Sequence, residues 1–345
     1  MATRIGILGF AHGHVSTYCQ EWRQMPADRV QVVAGWDHDS TRAQQAREKF
    51  DIAVEPSAEA LAKRGDVDAV VIGAETLFHA DLVEVAAAAG KAIVLQKPAA
   101  LTLDQADRIV AAVERSGVPF TMAWQMRVNP QNLRMKELLA TGELGRVLMV
   151  RRRHGLSTHR WPGFENSWHV KPELNRGMWA DDAAHAIDFI YWLLGMPRSV
   201  TAEIGTLLSP RIPDDHGVAV FRYADGTIAE VCSSFTCVAG ENTTEITCER
   251  GVIIQNYGDA VSCNVPRPAG AVGLKWYTPD AGQWIDSGIP SPPNHSHRIA
   301  ALAPELLKFL RGERPPIATA REGRDVLAMT LACYQSSEEG KRVQL

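Results

Sequence analysis

The sequence predicts a two-domain α/β chain: an N-terminal doubly wound parallel sheet, then an α+β domain with a large, mainly antiparallel sheet that is open on one face. Three observations predict it. Up to Trp124, short apolar β-rich runs alternate with helical stretches. The first run ends in a glycine-bearing turn that feeds a helix. Beyond Pro130 the texture changes to strands joined by turns. A length of 345 residues suggests about two domains, and 46% hydrophobic with 22% charged residues can build an ordinary core.

The first domain is set at 1–124. Its strands are read at 5–8, 30–36, 69–72, 92–96 and 120–124, with helices near 14–25, 41–50, 80–89 and 104–116. Runs that are apolar throughout suit strands buried on both faces, and their alternation with helices implies right-handed crossovers in a parallel sheet. The second domain, 125–345, opens after Asn129-Pro130 with a helix at 131–140. Strand candidates follow at 147–153, 200–207, 217–222, 227–233, 244–248 and 252–256, with Ala224-Asp225-Gly226 and Arg250-Gly251 as turn signals. A helix over 177–194 stops at Gly195, the proline-rich 289–294 reads as a loop, and helices at 299–310 and 321–338 close the chain. Apolar residues on both parities of several strands predict a homodimer or homotetramer built on the uncovered sheet face.

The opening turn is Gly9-Phe10-Ala11-His12-Gly13-His14. A strand that ends in small residues and enters a helix leaves backbone N–H groups at the helix N-terminus, where they can hold a diphosphate. Only Gly9 is glycine in the three-glycine register, and Ala11 and His14 hold the other two positions. Asp37 ends the second strand about 20 residues further on, the place of an acid for the adenosine ribose. Together they predict a Rossmann dinucleotide site. An acid there repels a 2′-phosphate, so NAD is expected over NADP, with His38 and Arg42 near enough in sequence to leave NADP open.

A net charge of −4 offers no basic field for nucleic acid, and the run Arg151-Arg152-Arg153 is read as a mostly solvated or cofactor-side face. The six cysteines, Cys19, Cys232, Cys237, Cys248, Cys263 and Cys333, show neither a C-x-x-C pair nor zinc-ligand spacing, which fits reduced thiols in a cytoplasm. The chain passes straight into its first strand and carries no run of about 18 apolar residues, so a soluble, unprocessed protein without a membrane partner is expected.

Two stretches carry proton-transfer chemistry. Gln96-Lys97-Pro98 puts a lysine at the carboxyl end of a parallel strand, where ligands bind in open α/β sheets. In the helix over 177–194, Asp181 and His185 at i, i+4 share one face, and Asp188 follows His185 at i+3. Such carboxylates can orient the imidazole and raise its basicity, making His185 a general base for an alcohol proton while hydride leaves the same carbon. The plainer readings are a surface lysine and a structural histidine. His12-x-His14 and Asp181-x-x-x-His185 each offer two metal ligands, but no H-E-x-x-H or cysteine cluster joins them and no metal is expected. The segment His154 to His169, with His159, Arg160, Trp161 and Trp168, mixes donors with aromatic faces and suits sugar hydroxyls. His159 and Arg160 can equally meet a carboxylate or phosphate.

Over nearly its whole length the sequence resembles the glucose-fructose oxidoreductase, inositol dehydrogenase and MocA group. The anchors are Gly90-Lys91 with Gln96-Lys97-Pro98, Asp181-x-Ala183-x-His185-x-x-Asp188, and Gly312-Glu-Arg-Pro-Pro316 with Glu322-Gly323-Arg324. The resemblance implies an NAD(P)-dependent oxidoreductase acting on a ring hydroxyl of a sugar, sugar derivative or cyclitol, with an oligomeric open-faced sheet. It puts Lys97, Asp181 and His185 at the catalytic positions, where they would meet around one substrate. It also puts Gln125, Arg127 and Asn129-Pro130 beside the nicotinamide, with Arg127 toward the substrate, and His79 at the start of the helix after the third strand. Gln96 replaces a glutamate, removing a charge beside Lys97, Gly73-Ala74-Glu75 replaces a Thr-Pro loop by the cofactor, and Ala183 replaces a glycine. Two rivals share this fold, a glycosidase that oxidises its substrate transiently with bound NAD and a ligand-sensing regulator. The regulator is disfavoured because Lys97, Asp181 and His185 are all present.

Overall fold

The computed structural model describes residues 1–239, 242–256 and 270–345, so Cys263 lies outside the described residues. They form two compact units. The first comprises Met1–Gln125, Glu173–Asn175 and Ile299–Leu327, and the second Met126–Pro172, Arg176–Arg298 and Ala328–Leu345.

The first unit is built on six parallel strands, β1 (Thr3–Leu8), β2 (Val30–Trp36), β3 (Ala53–Val54), β4 (Ala69–Ile72), β5 (Ala92–Leu95) and β6 (Phe120–Met122). Their order, β3-β2-β1-β4-β5-β6, reverses between β1 and β4, so the loops leaving those two strands diverge and open a crevice at their carboxyl ends. Ile5, Ile7, Leu8, Val70, Val71, Ile72, Ile93 and Val94 are fully buried, as apolar runs covered on both faces require. The two-residue β3 and the short helix Ala58–Ala62 went unpredicted, being too brief to show a period. Residues far along the chain complete the unit. The Trp22 indole donates to the carbonyl of Ala303 (2.9 Å), and Met122 N–H donates to the carbonyl of Ala318 (2.9 Å).

The second unit carries a nine-stranded sheet from β7 (Val147–Gly155), β8 (Ser199–Gly205), β9 (His216–Arg222), β10 (Ile228–Ser234), β11 (Asn242–Cys248), β12 (Gly251–Gln255), β13 (Leu274–Tyr277), β14 (Trp284–Asp286) and β15 (Val343–Gln344). The order is β14-β13-β12-β11-β7-β10-β9-β8-β15, antiparallel except where β7 lies parallel to β10. Successive side chains alternate between faces. Val150, Arg152 and His154 of β7 point to the buried side, while Arg151 and Arg153 stand exposed on the other. Of the two readings of this run, a solvated or a cofactor-side face, the solvated one fits Arg151 and Arg153 but fails for Arg152, because the period of two turns the middle residue inward. On the outer face Arg151 lies 3.4 Å from Glu230 and 3.8 Å from Glu245, beside exposed Val218 and Val220 of β9. No helix among the described residues is long and apolar enough to cross a membrane.

Candidate active site

In the first unit the turn after β1 is shaped by two close approaches and one open edge. Gly9 has φ +90°, and a Cβ there would lie 2.4 Å from the Ala74 backbone nitrogen, so glycine is required. A Cβ on Gly73 would lie 2.2 Å from the Val15 side chain. The tight strand-to-helix packing usually given to a third glycine is thus met at Gly73, and His14 is free to rest its ring on His12 (4.3 Å between centroids). A Cβ on Gly13 would meet nothing within 4 Å, so the first turn of the helix Gly13–Gln24 presents bare backbone to open space. The backbone cradle expected over Phe10, Ala11, His12, Gly13 and His14 is partly spent, because the N–H groups of Phe10, His12 and His14 donate to Asp37 (2.7 Å), the Gly73 carbonyl (2.8 Å) and His12 Nδ1 (3.4 Å), so the open helix start at Gly13 is the part that fits a dinucleotide diphosphate.

The acid expected at the ribose is already engaged. Asp37 accepts from the N–H groups of Phe10 (2.7 Å) and Asp39 (2.9 Å) and from Nε (3.1 Å) and Nη2 (2.9 Å) of Arg42. Arg42 Nη1 also donates to Glu75 Oε1 at 2.8 Å, while Glu75 Oε2 is buried without a hydrogen bond, 3.7 Å from His38 Nδ1. Glu75 is the residue the sequence reading missed at this site. Its signal was the departure at Gly73-Ala74-Glu75, where only Ala74, itself buried, was assigned to the cofactor.

At the end of β5, Gln96 is fully buried and donates its amide to the Tyr18 hydroxyl (2.9 Å). Lys97 follows at 3% exposure, joined to Pro98 by a cis peptide bond. His79 opens the helix His79–Ala88 as expected, but it is fully buried and its ring lies within hydrogen-bond distance of the carbonyls of Ala74, Pro98 and Ala99. Burial pulls its pKa below the usual histidine value. It ties the loops after β4 and β5 together and positions them. Gln125 is buried at the end of the unit's first segment.

In the second unit, the helix Ala184–Leu194 is preceded by a π-helical turn, Trp179–Ala183, and ends at Gly195 with φ +76°. A widened turn changes which side chains share a face. Asp181 Oδ2 lies 2.8 Å from His169 Nδ1, while Asp182 stands between two imidazoles, with Oδ1 3.5 Å from His185 Nε2 and Oδ2 3.6 Å from His154 Nε2. His154, Asp181, Asp182 and His185 are all buried. Burial lowers the His154 pKa, keeping that ring neutral. The Asp188 carboxylate, expected beside His185, receives Nε (3.1 Å) and Nη2 (2.7 Å) of the buried Arg127. Arg127, expected beside the nicotinamide and substrate, is therefore also one half of an internal ion pair.

The segment after β7 splits in two. Trp168 is buried and stacks on His169 at 4.0 Å between centroids, whereas Trp161 is 41% exposed, Arg160 is exposed and His159 half-buried. Among the described residues no three histidine, cysteine, aspartate or glutamate side chains are placed to hold a metal ion together.

Comparison with known proteins agrees with both units. A model described as the oxidoreductase family with an NAD-binding Rossmann fold matches residues 3–124, and a model of the GFO/IDH/MocA C-terminal domain matches residues 132–254. The chain is 26% identical over 363 residues to a D-apiose dehydrogenase of Paraburkholderia graminis, covering 99% of this chain and 88% of that protein. It is 27% identical over 300 residues to an inositol 2-dehydrogenase of Rhizobium meliloti, covering 83% of each. Among solved structures, a levoglucosan dehydrogenase in complex with NADH and levoglucosan has the same fold, with a TM-score of 0.85 over 100% of this chain and 99% of that one at 19% identity. Matched in its nucleotide-binding part and in its sheet-bearing part alike, the chain belongs to the GFO/IDH/MocA family of NAD-binding oxidoreductases.

Proposed function

We propose that this oxidoreductase is an NAD-dependent dehydrogenase of a ring hydroxyl on a sugar, sugar derivative or cyclitol, working in the cytoplasm as a homodimer or homotetramer. The observation that carries the reading is the buried Asp182–His185 pair, 3.5 Å apart, at the foot of a helix whose first turn is π. Bound NAD supplies the hydride acceptor. His185 takes the hydroxyl proton, and the Asp182 carboxylate stabilises the imidazolium that forms. Lys97 is assigned to polarise the same oxygen and share its proton, and Asp181, steadied by His169, to orient the substrate. Substrate hydroxyls are further assigned to His154 and Trp168, with His159, Arg160 and Trp161 at the outer end of that segment. The apiose and inositol dehydrogenases among its relatives support a ring polyol as the substrate class.

For the cofactor we favour NAD over NADP. Asp37 and Glu75 together outweigh Arg42, so the cluster is net anionic when His38 is neutral, and a 2′-phosphate there meets repulsion. Glu75 Oε2 is assigned to accept a ribose hydroxyl. Oligomerisation is assigned to the outer sheet face around Val218 and Val220. The test is a panel of sugars, cyclitols and glycosides incubated with NAD. Accumulating NADH with at least one ring polyol is expected, and product without net NADH, or no product from any member, would defeat the reading.

A further inference from the structure

Arg152 sits on the inner face of β7 at 2% exposure, and among the described residues its hydrogen-bond and ring partners are all neutral. Nη1 donates to the Thr244 hydroxyl (2.5 Å) and the Gln255 side-chain carbonyl (2.8 Å), and the guanidinium lies 4.7 Å from the centre of the Phe189 ring. Among the described residues Nη2 donates to the Met126 sulfur at 3.7 Å, and Nε has no hydrogen-bond partner. Among the described residues no carboxylate lies within ion-pair distance of Arg152. Arg298, also buried, adds like charge to its field. Buried guanidinium groups are ordinarily paired, because desolvating an unmatched charge is costly.

Arg127 shows how this chain treats a structural arginine. Its Nε and Nη2 edge is closed on Asp188. In Arg152 that same edge, whose two parallel N–H groups match a carboxylate, holds no oxygen. The position is informative as well. Residues two apart on a strand share a face, so His154 follows Arg152 toward the same side. The ring beneath Arg152 belongs to Phe189, one helical turn beyond His185. Among the described residues His154 Nδ1 is a second buried polar atom on this face with no hydrogen bond, within the ring that can exchange hydrogen bonds with a hydroxyl.

We propose that the Nε/Nη2 edge of Arg152 docks a carboxylate carried by the substrate, so that the ring polyol oxidised by this enzyme is an acid rather than a neutral sugar. The proposal rests on the dehydrogenase reading and narrows it. Its test titrates matched pairs, D-glucuronate with D-glucose and D-galacturonate with D-galactose, into enzyme holding NADH, so calorimetry reads binding without turnover. NADH formation from the same pairs is followed separately with NAD. The acid is expected to bind at least about tenfold more tightly than its neutral partner in one pair, and Arg152→Gln should remove that margin. If that variant does not fold, Arg152→Lys, which keeps the charge but loses the fork, should reduce the margin as well. Equal binding of acid and neutral sugar, no binding of either acid, or a margin that survives both variants overturns the proposal. Neutral sugars that reduce NAD as well as the acids do remove this subsite and leave the dehydrogenase standing. Acids that bind through Arg152 while no sugar yields NADH remove the dehydrogenase instead.

Discussion

Asp182 holds a carboxylate oxygen 3.5 Å from Nε2 of His185, three residues ahead on one buried element. The imidazole that accepts a proton there becomes a cation beside an anion, which favours the charged state. His185→Ala should therefore lower kcat by roughly 10²–10⁴-fold with little change in NADH affinity, as removal of a general base does. Asp182→Asn should move the acidic limb of the kcat/KM profile to lower pH. Steady-state kinetics across pH checks both, and an unmoved limb in Asp182→Asn would take Asp182 out of the mechanism.

Arg42 is divided between two acids, and that division predicts cofactor choice. Wild-type enzyme should bind NADPH on the order of a hundredfold more weakly than NADH, since like-charge contact costs several kcal/mol. Glu75→Gln releases Arg42 from one acid and should narrow that gap by about tenfold. Fluorescence titration with each nucleotide reads the two constants without a substrate, and a gap unchanged in Glu75→Gln would return the discrimination to Asp37.

The Arg127–Asp188 pair is fully enclosed, so its partners are costly to separate. Arg127→Met alone takes the buried cation away from Asp188 and should cost about 3–5 kcal/mol, while Arg127→Met with Asp188→Leu should recover most of that loss. Thermal and denaturant unfolding of the two variants make the comparison. Equal destabilisation by both would mean that packing rather than charge holds this point.

Two buried histidines set a pH window. His79 and His154 are both held by burial below their ordinary value of 6.5, so the unfolded chain binds protons that the folded chain refuses. Stability from this source is complete above pH 6.5 and is lost as pH falls below it toward the depressed folded values. Melting temperature should accordingly decline between about pH 6.5 and 5, before most carboxylates titrate, and His79→Asn should flatten the decline. A flat profile across that window would contradict the assignment.

Much of the first unit was legible because its strands are continuous apolar runs with helices between them, and because Gly9 and Asp37 fall at the right distance. What Asp37 does was not legible. Its partner Arg42 meets Glu75 only when the segments after β2 and β4 are brought together. The helix carrying His185 was legible from its apolar spacing and its stop at Gly195. Which acid faces His185 was not, because an i, i+4 argument assumes an α-turn and the turn at Trp179–Ala183 is π. Arg152 was concealed by its neighbours. Three successive arginines read as one basic face, and only the strand period turns the middle one inward. The parallel pairing of β7 with β10 joins segments distant in sequence, and no local pattern announces it.

The most direct test is NADH accumulation, with the best ring polyol from the panel, by wild-type enzyme and by His185→Ala loaded with the same cofactor. Steady NADH formation matched by ketone product is expected in the wild type, with its near loss in the variant and NADH binding retained. Equal turnover by the two enzymes, or product without net NADH, would contradict it.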